Sequence, residues 1–263
     1  MVESAIQLYT LRNADVPFGE LLERVADAGF DGVEFAYRVT DENPDAVRET
    51  LEEIGLAVAG AHVPIESFEE EFDDTVAFYE TLGCDEIVVP WLDQEWFASR
   101  EGLGSGIERL EALEDRLADR GITLHYHNHD HEYVALDEGN AEDNEEGIGD
   151  NEGGAGKEPH TGFHAFVERS EVDLELDLGF VLKAGDDPVE LLRAVDGRCR
   201  LAHVKDVDID SGELVPVGTG DLDLAGCADA FRDCGGEWLI YEWEGDDPLA
   251  SLEDAAATMD ELV

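Results

Sequence analysis

The stretch Ala28-Gly29-Phe30-Asp31-Gly32-Val33-Glu34-Phe35 carries the chain from one element into the next. A glycine just past a helical segment suits the left-handed position that ends a helix. The apolar run after it is too short for a helix and reads as a strand. The same joint returns at Ile54-Gly55-Leu56-Ala57-Val58-Ala59, Leu82-Gly83-Cys84-Asp85-Glu86-Ile87-Val88-Val89, Arg120-Gly121-Ile122-Thr123-Leu124-His125-Tyr126 and Cys234-Gly235-Gly236-Glu237-Trp238-Leu239-Ile240-Tyr241.

Between the joints lie segments with a helical period. Phe18, Leu21, Leu22, Val25 and Ala26 share one stripe, Ile107, Leu110, Leu113 and Leu117 a second, and Leu252, Ala255, Ala256 and Met259 a third. Near-continuous apolar strands alternating with amphipathic helices imply an α/β fold with a parallel sheet covered on both faces. About eight strands are expected, near 4–9, 32–36, 57–62, 86–90, 122–127, 172–177, 200–205 and 238–242. Eight such units in 263 residues match a single-domain (β/α)8 TIM barrel. A doubly wound open sheet would place a Gly-rich phosphate loop after an early strand, but the first strand runs into Gln7-Leu8-Tyr9-Thr10-Leu11-Arg12 instead. Residues 137–158, DEGNAEDNEEGIGDNEGGAGKE, break the pattern. This acidic, Gly-rich stretch has too little apolar surface to offset its ordering entropy and reads as a flexible insertion after the fifth strand.

The chain holds 67 Asp+Glu against 16 Lys+Arg, a formal net charge of −51. Such a surface excludes unaided binding to nucleic acid or to an anionic membrane. Only Lys157, Lys183 and Lys205 are lysines, and the acid is spread along the whole chain. That pattern is expected of a halophilic protein in molar salt, where a Debye length of ~3 Å screens the repulsion. No apolar run approaches the ~20 residues of a membrane span. Met1-Val-Glu-Ser begins no signal peptide, so a cytoplasmic location is expected. Cys84, Cys199, Cys227 and Cys234 form no CxxC pair and read as small packing residues.

In a TIM barrel the chemistry sits at the C-terminal ends of the strands. Here those ends carry Glu34, His62, the run His125-Tyr126-His127-Asn128-His129-Asp130-His131-Glu132, Asp177, His203 with Lys205 and Asp206, and Glu242. Four of the eight histidines lie in that one run. Asp177, His203 and Glu242 end three successive strands, and closing the barrel brings such ends together. Unpaired, the carboxylates would repel. A divalent cation would relieve this, and O/N donors suit Mn²⁺, Mg²⁺, Co²⁺ or Zn²⁺. Alternation along an extended chain puts His127 and His129 on one side, near the substrate. Glu132, just past the strand, is the favoured ligand from this segment, and His131 packs or faces water.

Tyr126-His127-Asn128-His129 with Glu132, Leu176-Asp177 with Lys183-Ala184-Gly185, His203-Val204-Lys205-Asp206, Val217-Gly218-Thr219-Gly220-Asp221-Leu222-Asp223 and Glu242 together resemble the sugar phosphate isomerase/epimerase family of xylose isomerase-like TIM barrels. The resemblance covers essentially the whole chain apart from 137–158. It implies a divalent metal held by Glu132, Asp177, His203 and Glu242. It also implies an isomerase or epimerase that moves a proton beside the carbonyl of a sugar, polyol or keto-sugar through a metal-stabilised enediolate. Glu132 and Glu242 are then the proton-transfer groups, with His127 or His129 able to replace the first. Loss of a β-hydroxyl would instead make the chain a lyase, of the inosose-dehydratase or keto-glycoside-cleaving kind.

Other residues carry weaker expectations. Lys205 either binds a substrate oxygen or phosphate or pairs with Asp206 or Glu242. His62, Glu34 and Gln7 are candidates for the pocket wall. Trp91 and Trp96 either stack on a sugar or pack. Gly218-Thr219-Gly220-Asp221 reads as a tight turn before the last crossover helix. A DNA-repair endonuclease would need a basic groove that the charge argues against. A non-catalytic sugar-binding barrel is the remaining alternative.

Overall fold

The computed structural model describes residues 1–137, 161–245 and 249–263. Ten strands run in chain order: β1 (Glu3–Gln7), β2 (Gly32–Phe35), β3 (Ala57–His62), β4 (Glu86–Val89), β5 (Thr123–His127), β6 (Asp173–Asp177), β7 (Leu201–Val204), β8 (Asp206–Asp208), β9 (Glu213–Val215) and β10 (Trp238–Tyr241). Eight of them close a parallel barrel in the order β1-β2-β3-β4-β5-β6-β7-β10. The seam pairs Ile6 with Tyr241, and β7 sets His203 opposite Ile240 on β10 and Asp177 on β6. The α/β TIM barrel expected from the repeating joints is therefore the observed fold. The acidic insertion expected at 137–158 lies outside the described residues from 138 onward.

The joints behave as their glycines require. Gly29, Gly55, Gly83, Gly121 and Gly235 all have positive φ, where a side chain would be strained. The three expected stripes face the barrel: Phe18, Leu21, Leu22 and Val25 are buried on the helix Phe18–Ala28, as are Ile107, Leu110, Leu113 and Leu117 on Arg100–Ala118, and Leu252, Ala255, Ala256 and Met259 on Leu252–Asp260. Cys84, Cys199 and Cys227 are buried among them. Among the described residues, no helix is long and apolar enough to cross a membrane.

Two local departures have clear causes. The first strand stops at Gln7 rather than Tyr9. The Gln7 side chain accepts a hydrogen bond from the Tyr9 backbone N–H at 3.1 Å and so caps the 3-10 turn Leu8–Leu11. The seventh strand ends at Val204, and the chain goes on into the hairpin of β8 and β9. Asp206 explains the loop after that hairpin. Its carboxylate accepts four backbone N–H bonds, from Val207, Gly218, Gly220 and Leu222, at 2.8–3.1 Å. A Cβ on Gly220 would sit 2.3 Å from Asp206 Oδ1 and 2.5 Å from the Val207 carbonyl oxygen. The Gly218-Thr219-Gly220-Asp221 run is thus a turn wrapped around Asp206, ahead of the helix Leu224–Asp233.

Inside the barrel, polar groups occupy both ends. At the N-terminal end Arg200 contacts Glu86 and Thr123, and His125 Nε2 lies 2.6 Å from Glu86 Oε2. A small apolar cluster of Ala5, Ala59, Val88, Leu201 and Ile240 sits apart from the main core. Ala5, Leu201 and Ile240 lie two residues before Gln7, His203 and Glu242, and period-2 alternation puts them one layer below those strand ends.

Candidate active site

Alternation along the strands aims Glu34, His62, His127, Glu175, Asp177 and His203 toward one end of the barrel, where Glu242 and Lys205 follow their strands directly. All are buried except His62, which is partly open. Burying so many polar groups is tolerable only if they satisfy one another.

They do so in two layers. In the lower layer Glu175 Oε2 lies 2.7 Å from His62 Nε2, 2.8 Å from His127 Nδ1 and 3.3 Å from His203 Nε2. Glu34 Oε2 lies 2.7 Å from His203 Nε2 and also accepts from the Gln7 amide. In the upper layer His203 Nδ1 lies 2.9 Å from Glu242 Oε2, and His127 Nε2 lies 3.9 Å from Asp177 Oδ2. The Lys205 ammonium reaches Glu242 at 3.0 Å, Glu244 at 3.3 Å and Asp177 at 3.5 Å, and rests over the Phe180 ring. Of the two carboxylates anticipated for Lys205, Glu242 is its partner; Asp206 is occupied by backbone.

Asp177 also caps the helix Leu178–Lys183, its Oδ1 accepting from the Phe180 N–H at 2.8 Å, while Asn128 Oδ1 accepts the Asp177 N–H. The helix starts hard against β7. A Cβ on Gly179 would stand 2.3 Å from the Lys205 carbonyl oxygen.

The structure brings together Asp177, His203 and Glu242, and His127 with them: one ligand atom from each lies within 4.8 Å of the others. Glu132 is not in that group. The chain leaves β5 through the 3-10 turn Asp130–Glu132, which brings Glu132 against Tyr126. There its Oε1 accepts from the Tyr126 hydroxyl at 2.6 Å, and it clusters with His129 and His131. His127 holds the place beside Asp177 that the sequence reading gave to Glu132. His131 stacks on Trp91, with ring centroids 4.2 Å apart, and its Nε2 donates to the Leu92 carbonyl. Glu175 went unselected in the sequence, although the alternation Leu174-Glu175-Leu176-Asp177 puts it on the same side as Asp177.

The electrostatics follow from burial and crowding. Burial, with Glu175 adding to it, lifts the Glu34 carboxyl to about 7. Burial likewise lifts Asp177, to about 6, against the opposing pull of Lys205. For Glu242 burial is outweighed by Lys205 and His203, and its carboxyl falls well below the usual range. Glu175 falls likewise, its burial outweighed by His203 and His62. Burial takes His127 down to about 3, so its imidazole is neutral, and it lowers His129 further. Burial alone would lower His203, but Glu175 and Glu34 raise it.

Above these groups opens a cavity of about 430 Å³ lined by Gln7, Tyr9, His62, Trp91, His127, His129, Phe180, Lys205 and Glu242, among others. Trp91 is 50 % exposed and Tyr9 39 %. Trp96 lies elsewhere, against Gly106 and beneath the Arg109 guanidinium.

The upper layer suits a divalent cation. Asp177 Oδ2 is buried with no hydrogen-bond partner among the described residues; so is one oxygen each of Glu34 and Glu175 in the lower layer and of Glu132 beside Tyr126. Two carboxylates and two imidazoles form the mixed oxygen/nitrogen set that Mn²⁺, Co²⁺ or Zn²⁺ accepts.

A closed barrel with titratable strand ends defines a class, and residues 22–262 match that of the xylose isomerase-like TIM barrels. The chain belongs to this family. A sugar phosphate isomerase/epimerase from Parabacteroides distasonis has a similar structure, with TM-score 0.77, 20 % identity, and coverage of 98 % of this chain and 94 % of that one. So has an L-ribulose 3-epimerase, with TM-score 0.72, 19 % identity and coverage of 100 % and 94 %. A probable 3-DHS dehydratase involved in petrobactin synthesis in Bacillus anthracis gives 0.74, 12 % identity and coverage of 98 % and 99 %. Among curated proteins no sequence matches this chain.

Proposed function

We propose that this chain is a divalent-metal-dependent isomerase or epimerase of a small sugar or keto-sugar. The observation that carries this reading is the buried group of His127, Asp177, His203 and Glu242, of which His127 and Glu242 line the cavity. In this reading those four hold the ion, and Glu132 stays on its Tyr126 hydroxyl. The bound ion would polarise the substrate carbonyl as a Lewis acid.

The chain's own residues then divide the remaining work. Glu242, kept ionised, takes the proton from the carbon beside the carbonyl. Lys205, 3.0 Å from Glu242, donates to the oxygen on which negative charge grows. His129 lines the same cavity as a neutral imidazole and serves as the second proton-transfer group. Trp91 and Tyr9 offer ring faces to the sugar, and His62 and Phe180 close the wall.

A lyase outcome would use the same residue differently. Lys205 lines the cavity as an ammonium and can donate a hydrogen bond to a departing β-hydroxyl as well as to an oxyanion. Incubating the Mn²⁺-loaded protein with a panel of keto-sugars in D₂O separates the outcomes. Deuterium at the carbon beside the carbonyl with an isomeric product supports the isomerase. Loss of water or of an aglycone supports the lyase. No exchange with any substrate, and the same Mn²⁺ affinity in wild type and Asp177→Asn, would overturn both.

A further inference from the structure

The layer beneath the proposed ion donors converges on one oxygen. Glu175 Oε2 meets a nitrogen from each of His62, His127 and His203 at 2.7, 2.8 and 3.3 Å, and Glu34 Oε2 meets His203 Nε2 at 2.7 Å. Glu175 and Glu34 are both fully buried. Each bridging imidazole therefore turns one nitrogen down and one up: His127 presents Nδ1 to Glu175 and Nε2 to Asp177, while His203 presents Nε2 to Glu34 and Glu175 and Nδ1 to Glu242. A neutral imidazole has a single N–H, and the bond made at one nitrogen decides which nitrogen is left bare. A histidine that ligates through one nitrogen commonly donates from the other to a carboxylate.

We propose that Glu175 is a positioning residue that sets the tautomer of His127. It takes the N–H of His127 Nδ1, so that the bare His127 Nε2 faces Asp177, while His203 donates from both nitrogens, to Glu34 and to Glu242. The proposal rests on the metal reading above for its purpose, but the tautomer itself can be read with no metal present. A rival arrangement is open to the same residues: His62, His127, Glu175 and His203 can themselves gather around an ion. Glu175 would then be a ligand rather than a support.

Imidazole ¹⁵N NMR on the metal-free protein tests the proposal, with the His127 signals assigned from His127→Asn. Wild type is expected to show His127 as the Nδ1–H tautomer. In Glu175→Leu, which removes the acceptor at similar size, the Nε2–H form should become populated. Calorimetry with Mn²⁺ should give one ion per chain, bound 10- to 100-fold more weakly in Glu175→Leu. Glu175→Gln should regain part of that loss. If Glu175→Leu does not fold, Glu175→Gln decides: a neutral amide oxygen is a weaker acceptor than a carboxylate, so the Nε2–H form of His127 should become partly populated. His127 in the Nε2–H form in wild type, or no tautomer change in either variant, overturns the proposal. So does anomalous diffraction placing Mn²⁺ within roughly 2.2 Å of a Glu175 oxygen. Asp177→Asn separates the two readings: unchanged Mn²⁺ affinity there removes the metal reading and leaves the tautomer result standing.

Discussion

Lys205 and Glu242, ending neighbouring strands, form a buried ion pair 3.0 Å long at the floor of the cavity. The same ammonium is also the only cation in contact with Asp177 among the described ion pairs apart from an imidazole. Removing it leaves carboxylates uncompensated in a desolvated place. Lys205→Met is expected to lose about 3–5 kcal/mol of stability in EDTA. Mn²⁺ should return part of that loss by supplying positive charge. Paired thermal melts with and without the ion measure it, and equal losses in both conditions would contradict the proposed site.

The two carboxylates assigned different places should respond differently. Asp177→Asn should weaken Mn²⁺ binding by more than about tenfold, since losing even a group that supports a ligand costs roughly 10- to 100-fold, and should abolish proton exchange into substrate with the ion that polarises the carbonyl. Glu132→Gln keeps an acceptor for the Tyr126 hydroxyl and should bind Mn²⁺ nearly as wild type does. Titration calorimetry on the pair would show a larger loss in Glu132→Gln if the ion sits on that side of β5.

Trp91 and Trp96, five residues apart, divide by location. Trp91→Ala should raise KM roughly 2- to 10-fold with kcat little changed, the worth of one aromatic contact. Trp96→Ala should leave KM alone and lower the melting temperature, because that ring packs on Gly106 under Arg109. Steady-state kinetics on both variants checks the contrast.

Gly179→Ala should be costly beyond ordinary helix effects. Its Cβ would collide with the Lys205 backbone carbonyl at 2.3 Å, so the helix behind Asp177 must retreat or the end of β7 must shift. A loss of roughly 1–3 kcal/mol is expected, together with weaker Mn²⁺ binding. Gly104→Ala is the control. Nothing lies within 4 Å of its Cβ, and it stands inside the helix Arg100–Ala118, so it should gain about 0.5–1 kcal/mol. Urea unfolding of both variants compares them.

With a net charge of −51 the folded chain repels itself at low ionic strength. We expect the melting temperature to rise steeply with KCl toward molar concentrations, where the Debye length shrinks to about 3 Å. A flat calorimetric response would remove the halophilic reading.

Much of the barrel could be read from repeating local chemistry. Gly29, Gly55, Gly83, Gly121 and Gly235 marked the joints because only glycine holds positive φ without strain there. That Asp177, His203 and Glu242 come together was legible because a strand end is a place that alternation and barrel closure define. Glu132 is harder to place from sequence: it lies past β5, where a single 3-10 turn decides its direction and no periodicity reports it. Glu175 was hidden in composition. In a chain with 67 acidic residues one more carboxylate draws no notice until the layer it supports is seen. The hairpin of β8 and β9 escaped because strands of three residues are shorter than any pattern.

The cluster of Ala5, Ala59, Val88, Leu201 and Ile240 works as an insulating plug across the bore. Below it Arg200 and Glu86 lash strands together; above it lie the groups proposed to hold the ion and meet the substrate. Sequence changes at the mouth therefore need not be tuned against the girdle underneath. A protein engineer could retailor the upper chamber for a new sugar while leaving the lower fastening alone.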